Sequence, residues 1–202
     1  MSLKLELKRK ALHMTGLSVP LIYLALGKSA AITFVLIFLI IFLALEPFRL
    51  GEGLRIKVKE KLGIPEEVTE KIEREIDGIA REREKRGIGA HIYFTIAALL
   101  VIYLFPREVA IGSISVATLG DAMAAIIGKS YGRHRFKNGK SVEGSLAYFI
   151  TGLLILTPLV GLKMALLASL VGMIVEFYGL PPDDNFSNQL AIAITLYLAG
   201  VR

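Results

Sequence analysis

Apolar residues run along this chain in seven stretches, near 11–27, 29–48, 90–105, 108–128, 144–161, 163–180 and 185–200. Breaks fall at Gly27-Lys28, Pro47, Gly87, Pro106, Gly128, Gly161 and Pro181-Pro182. The periodicity and the breakers predict seven helices. The longest, 29–48, matches the roughly 20 residues that cross about 30 Å of hydrocarbon, whereas the first, third and last are short for a span. Between the second and third stretches the pattern changes. There, Pro65 suits the first turn of a helix whose Ile64, Val68, Ile72, Ile76 and Ile79 form one stripe. Glu67/Lys71, Glu70/Arg74, Asp77/Arg81 and Glu82/Arg86 pair at i,i+4. This predicts an amphipathic helix lying outside the bilayer, its charged face solvated or resting on headgroups.

Composition strengthens the membrane reading. Of 202 residues, 54% are hydrophobic and 21% charged, and a soluble domain of this size could not cover so much apolar surface. The expected fold is all-α: a polytopic membrane bundle of about seven transmembrane helices. It forms one domain over 1–202, with 49–89 a charged cytoplasmic helical insertion. Cysteine is absent, which removes disulfides and thiolate chemistry and leaves oxygen or histidine to hold any metal. Lys4, Lys8, Arg9 and Lys10 precede the first apolar run as in a signal peptide, but no convincing cleavage site follows, so that segment is expected to be retained.

Charge then sets the orientation. Twenty basic residues fall in the N-terminal arm, the 49–89 segment and the 129–140 loop, and four on the other side. The positive-inside rule therefore places the N-terminus in the cytoplasm of a multi-pass cell-membrane protein. Eleven basic residues in 49–89 are balanced by ten acidic ones, which argues against nucleic-acid binding. A homo-oligomer is compatible with the sequence.

Acids inside a membrane are costly and need an explanation. Glu46, Asp121 and Glu176 all fall within about 10 Å of the predicted cytoplasmic boundary at 1.5 Å rise per residue. His13, His91 and His134 share that side. One polar chamber at the inner leaflet accounts for these positions. Boundary residues reaching for water would account for Glu46 and Glu176 as well, but Asp121 lies deeper.

Around Asp121 the residues suit phosphate chemistry. The run Gly120-Asp121-Ala122 through Gly128-Lys129 to Gly132-Arg133-His134-Arg135 puts the acid on a small-residue helix and leads into a Gly-rich basic turn. The carboxylate can hold Mg2+, while Lys129, Arg133 and Arg135 can neutralise phosphate oxygens. A positive-inside loop would supply the same bases. Next, Lys140-Ser141-Val142-Glu143-Gly144-Ser145 opens the fifth helix. Its amides and dipole favour anions, Ser141 or Ser145 can cap it, and Gly144 admits a ligand to the backbone. Glu143 either joins Asp121 on a metal or complements the helix dipole. Pro181-Pro182-Asp183-Asp184-Asn185 forms a turn in which Asp184 or Asn185 caps the last helix, or the acids bind metal or act as a base. No Walker-type loop is present, which excludes a P-loop kinase.

With these motifs assembled, the chain resembles the dolichol kinase and phytol kinase family, membrane enzymes grouped with CTP-using transferases. The resemblance rests on Gly120-Asp121-Ala122 through Gly128-Lys129 and Gly132, on Lys140-Ser141-Val142-Glu143-Gly144-Ser145, and on Asp183-Asp184-Asn185. Arg9-Lys10 with His13 and Gly16 resembles the family's opening. It implies CTP-dependent, Mg2+-assisted phosphoryl transfer to a membrane lipid alcohol of polyprenol, dolichol, phytol or geranylgeraniol type. On that model Asp121, Glu143 and Asp183 serve the metal, and Lys129, Gly132, Arg133, Arg135, Lys140, Ser141, Gly144 and Ser145 the nucleotide. Asp121, Asp184 and His13 serve catalysis. The segment after Asn185 lacks the proline expected there, leaving the lipid open. Two alternatives stay in view: a cytidylyltransferase making a CDP-activated lipid, and a transporter or non-catalytic membrane protein using the inner acids as an ion path.

Overall fold

A computed structural model describes residues 3–50, 63 and 88–202, with side chains from 8–46 and 88 onward, together with Gly63. The isoleucine stripe and charge pairs expected within 64–86 lie outside the described residues. The rest is helical: α1 (Leu3–Met14), a 3-10 turn (Thr15–Leu17), α2 (Ser18–Leu50), α3 (Ala90–Leu104), α4 (Arg107–Tyr131), α5 (Val142–Val160), α6 (Leu162–Tyr178) and α7 (Asp184–Leu198). Among the described residues there is no strand, and a single isolated bridge joins Arg135 and Ser141.

Three stretches are long and apolar enough to cross a membrane, Lys8–Glu46, Arg107–Tyr131 and Val142–Val160, with Ala90–Leu104 apolar but shorter. Their outer surface fits that reading. Leu26, Leu154 and Leu198 are more than 70% exposed, an arrangement that hydrocarbon tolerates and water penalises. Inside, Val101, Ile102, Ile114, Val116, Tyr148, Leu156, Ile192 and Leu196 form a fully buried core shared by α3, α4, α5 and α7.

The break expected at Gly27 is where α2 turns back. Gly27 adopts φ 85°, ψ −177°, a backbone region open essentially to glycine alone. At this corner Arg107 donates to the Leu24 carbonyl (3.0 Å) and Lys28 to the Tyr103 carbonyl (3.0 Å). At the far end of the two legs Lys10 reaches Asp121, and Glu46 accepts the Gly89 N–H at 2.7 Å. The leg before Gly27 therefore runs antiparallel to α4, and the leg after it antiparallel to α3. Gly27→Ala meets no atom within 4 Å, so its expected cost is backbone strain alone, about 1–3 kcal/mol. Thermal melting followed by helical circular dichroism checks this.

Helices α4 and α5 pack antiparallel at close range. A Cβ at Gly112 would meet Leu156, one at Gly120 would meet Tyr148, and one at Gly144 would meet the Ala124 carbonyl oxygen and Gly128 Cα. Small residues let the two backbones approach. The approach is backbone to backbone at the end that carries the basic turn, and this fixes where the start of α5 sits against the end of α4.

Candidate functional site

Three helix ends and one loop converge at that end of the bundle. α4 delivers Asp121 one turn before its small residues Ala124 and Ala125. The loop 132–141 folds back on itself through Phe136 N–H to the Lys140 carbonyl (2.8 Å) and Val142 N–H to the His134 carbonyl (3.0 Å). Phe136 packs edge-on against Phe177 at 4.8 Å and Asn138 donates to the Phe177 carbonyl at 3.0 Å, which docks the loop on α6. Ser141 caps α5 by accepting the Gly144 N–H at 3.1 Å, as expected for a serine preceding a helix.

These elements enclose a polar cavity of about 160 Å³, lined by Lys10, Asp121, Gly128, Lys129, Arg135, Lys140, Ser141, Gly144, Ser145 and Glu176 among others. Most of the sequence-predicted phosphate residues are thus brought together. Lys10 donates to Asp121 Oδ2, and His13 Nε2 lies 3.5 Å from the same oxygen. Lys140 is paired with Glu176 Oε1 and also donates to the Glu176 backbone carbonyl at 2.8 Å. Arg135 donates to the Gly128 carbonyl at 2.9 Å. The Ser145 hydroxyl and the second oxygen of Glu176, Oε2, are buried without a hydrogen-bond partner.

A second cavity, about 340 Å³, adjoins the first. Its walls are largely apolar: Val19, Phe34, Val35, Phe38, Phe42 and Phe94, with His13, His91 and Asn185 among its polar members. Phe34, Phe38 and Phe42 stack at i,i+4 along the second leg of α2, with ring centroids 4.7 and 5.8 Å apart. Lys10 and Asp121 line both cavities.

Several expected residues stand elsewhere. Glu143 lines neither cavity; its carboxylate faces His134, 2.8 Å from ring Nδ1 and 3.3 Å from the backbone N–H. It holds the basic loop to the start of α5. Arg133 is exposed and outside both linings, and Gly132 packs where a Cβ would strike the Gly128 carbonyl oxygen at 2.1 Å. At the last turn the cap is Asp183, not Asp184 or Asn185: it accepts the Asn185 N–H at 2.9 Å. Asp184 lies within electrostatic reach of His13. Gly144, expected to admit a ligand, has the space of its missing side chain filled by α4.

The motif reading gives two of the cavity residues no chemical role: Lys10 enters it with the basic arm and with the opening that resembles the family's, and Glu176 as an acid of the inner-leaflet chamber or of the boundary. The available signal was spacing: Lys10 and His13 stand at i,i+3, so both point to one side of α1. Asp121 offers the hard oxygen donor through which Mg2+ is usually held, one or two carboxylates being completed by water and phosphate. The donor chemistry fits that ion. No group of three or more His, Asp or Glu residues converges as an all-protein cage among the described residues.

The fold and site define a helical protein with membrane-length apolar segments and a charged cavity opening onto an apolar one. No family model and no solved structure matches the chain. Curated relatives do. A CTP-dependent diacylglycerol kinase 1 of Schizosaccharomyces pombe is 31% identical over 39% of this chain and 37% of its own length. A probable chloroplastic phytol kinase 1 of Oryza sativa subsp. japonica is 29% identical over 53% of this chain and 41% of its own. A dolichol kinase of S. pombe is 39% identical over 37% of this chain and 17% of its own. The chain spans less than half the length of each of these relatives. They bear out the resemblance to the dolichol kinase and phytol kinase family read from the motifs.

Proposed function

We propose that this chain is a CTP-dependent kinase that phosphorylates the hydroxyl of a membrane lipid alcohol. The observation that carries this reading is that Lys10 and Asp121 belong to both cavities. A phosphate chain held by Lys129, Arg135, Lys140 and Ser145 brings its terminal phosphorus toward that junction. A hydroxyl whose hydrocarbon lies along Phe34, Phe38 and Phe42 reaches the same point from the bilayer side. Phosphoryl transfer needs chiefly alignment and charge stabilisation, and two cavities meeting at one ion pair supply alignment.

Asp121 is the residue assigned to hold Mg2+, which when bound neutralises phosphate charge. Lys10 is placed to move from Asp121 onto a phosphate oxygen. The alcohol oxygen bonds to the γ-phosphorus and the bond to the β-phosphate oxygen breaks, leaving CDP. The hydroxyl proton passes to a base on the apolar side, where His13 lines the cavity and Asp184 lies within electrostatic reach of His13. Glu143 and Asp183 hold local structure in this mechanism.

Seven crossings complete the reading, with the two legs of α2 counted separately. The 49–89 segment is an insertion in a single domain, and the site end is cytoplasmic by its excess of basic residues. The relatives named as kinases favour phosphoryl over cytidylyl transfer. Purified protein with Mg2+, CTP and a panel of polyprenols, phytol, geranylgeraniol and diacylglycerol tests the proposal. Label from γ-labelled CTP is expected in the lipid. Entry of α-label instead, or of neither with any alcohol, refutes it.

A further inference from the structure

The mechanism above leaves Glu176 unused, and its surroundings are unusual. It sits near the end of α6, where it is the helix's one acid, and is 4% exposed. One carboxylate oxygen is paired with Lys140; the other, Oε2, is buried and has no hydrogen-bond partner. Burying an acid so nearly completely is costly, and leaving half of it unsatisfied adds to the cost. If its role were to neutralise Lys140, a position nearer the surface would serve, because Lys140 itself stands on the loop and keeps a third of its side chain exposed.

Its location gives the cost a purpose. Glu176 lines the same 160 Å³ cavity as Asp121, with Lys10 and Lys140 on the same walls. Both carboxylates of the cavity are held by lysines, and both lysines are of the kind that a polyphosphate would attract. Each of the two acids in this small cavity is paired with a lysine that can be exchanged, and Lys129 and Arg135 add positive charge to the same walls. The cavity can rebalance by swapping partners when a divalent cation arrives with a phosphate chain.

From this geometry we infer that Glu176 is the second carboxylate ligand of the cation that accompanies the nucleotide. Lys140 is the counter-ion that holds it in place until the phosphates draw the lysine away. The inference rests on the phosphoryl-transfer reading of this cavity and replaces Glu143, which faces His134, as the partner of Asp121. One carboxylate from α4 and one from α6 then hold the ion between helices that are separately anchored to α5. Such a pair suits Mg2+ or Mn2+, which take one or two protein carboxylates and complete their shell with phosphate and water.

The test measures cation binding directly. Full-length detergent-solubilised protein is titrated with Mn2+, read by the electron paramagnetic resonance of the free ion, with and without a β,γ-methylene analogue of CTP. Glu176→Gln is expected to weaken Mn2+ binding in the presence of the analogue at least about ten-fold, while Glu176→Asp retains part of it. Lys140→Met is expected to strengthen Mn2+ binding without nucleotide, because it releases the carboxylate. If Glu176 is only the lysine's counter-ion, Glu176→Gln leaves Mn2+ affinity unchanged, or Lys140→Met lowers it as much as Glu176→Gln does. Either result overturns the inference, as does the absence of Mn2+ binding by the parent protein. Melting curves of each variant exclude loss of fold as the cause. The kinase reading fails separately: if no alcohol accepts γ-label while Glu176→Gln still loses Mn2+, the cation site stands and the transfer assignment falls.

Discussion

Asp121→Asn is expected to lower phosphoryl transfer to a lipid alcohol by about 10²–10³-fold, and the same variant will also melt earlier. The two effects have different origins and can be separated. Asp121 is paired with Lys10, whose side chain is 6% exposed, so removing the negative charge leaves a buried cation uncompensated. Breaking one half of a buried pair costs about 3–5 kcal/mol, whereas replacing both halves by apolar groups of similar shape is often neutral. The double variant Lys10→Met/Asp121→Asn should therefore recover most of the lost stability. It should not recover transfer, because the phosphate loses both the cation site and the lysine at the junction of the two cavities. γ-Label incorporation and thermal melting of the single and double variants decide the matter. Transfer by Asp121→Asn within about ten-fold of the parent would remove Asp121 from the chemistry, and recovery of transfer in the double variant would reduce it to a counter-ion.

This pairing also shows what could and could not be read from the sequence. Breaks at Gly27, Pro106, Gly161 and Pro181-Pro182 gave helix boundaries that agree with the structure to within a few residues. Proline and these glycines act locally: Gly27 and Gly161 both take positive φ values, 85° and 80°, at the corners where the chain reverses. Serine at 141 as a cap was legible for the same reason, because a cap concerns only the next turn of its own helix.

What escaped was every feature decided between helices. Glu143 and Asp121 looked like a pair because both are acids near phosphate-type motifs. The loop between them, however, turns back through the Arg135–Ser141 bridge and presents Glu143 to His134. The partners that do meet, Lys10 with Asp121 and Lys140 with Glu176, lie 111 and 36 residues apart in the chain. No local pattern encodes such a contact. Glu176 is the instructive case. Its position near a helix end allowed a boundary explanation, and only the packing of the basic loop on α6 through Phe136, Phe177 and Asn138 makes that end an interior. The apolar cavity is a product of assembly in the same way, since its walls come from α1 and the 3-10 turn, both legs of α2, α3, α4 and α7.

A second large effect is expected from a single methyl group at the start of α5. Gly144→Ala places a Cβ 2.7 Å from the Ala124 carbonyl oxygen and 3.2 Å from Gly128 Cα. Both are backbone atoms of α4, so neither can rotate away and the helices must part by several tenths of an ångström. Overpacking of this kind costs about 1–3 kcal/mol. Its effect on transfer should be greater than on stability, because the first turn of α5 carries Ser141 and Ser145 and faces Lys129 across the polar cavity. A misplacement of about 1 Å can cost about 10²-fold in rate, and transfer by Gly144→Ala is expected to fall by that order. Gly152→Ala is the matched comparison. It lies two turns further along the same helix, where the added Cβ meets the Ser169 side chain at 2.6 Å. Its melting temperature should drop comparably while transfer is largely kept, since nothing at that level touches either cavity. Equal loss of transfer in the two variants would mean that the tight packing of α5 against its neighbours supports the bundle as a whole and does not organise the site. Loss confined to Gly144→Ala would locate the phosphate-binding geometry at the crossing of Gly128 and Gly144.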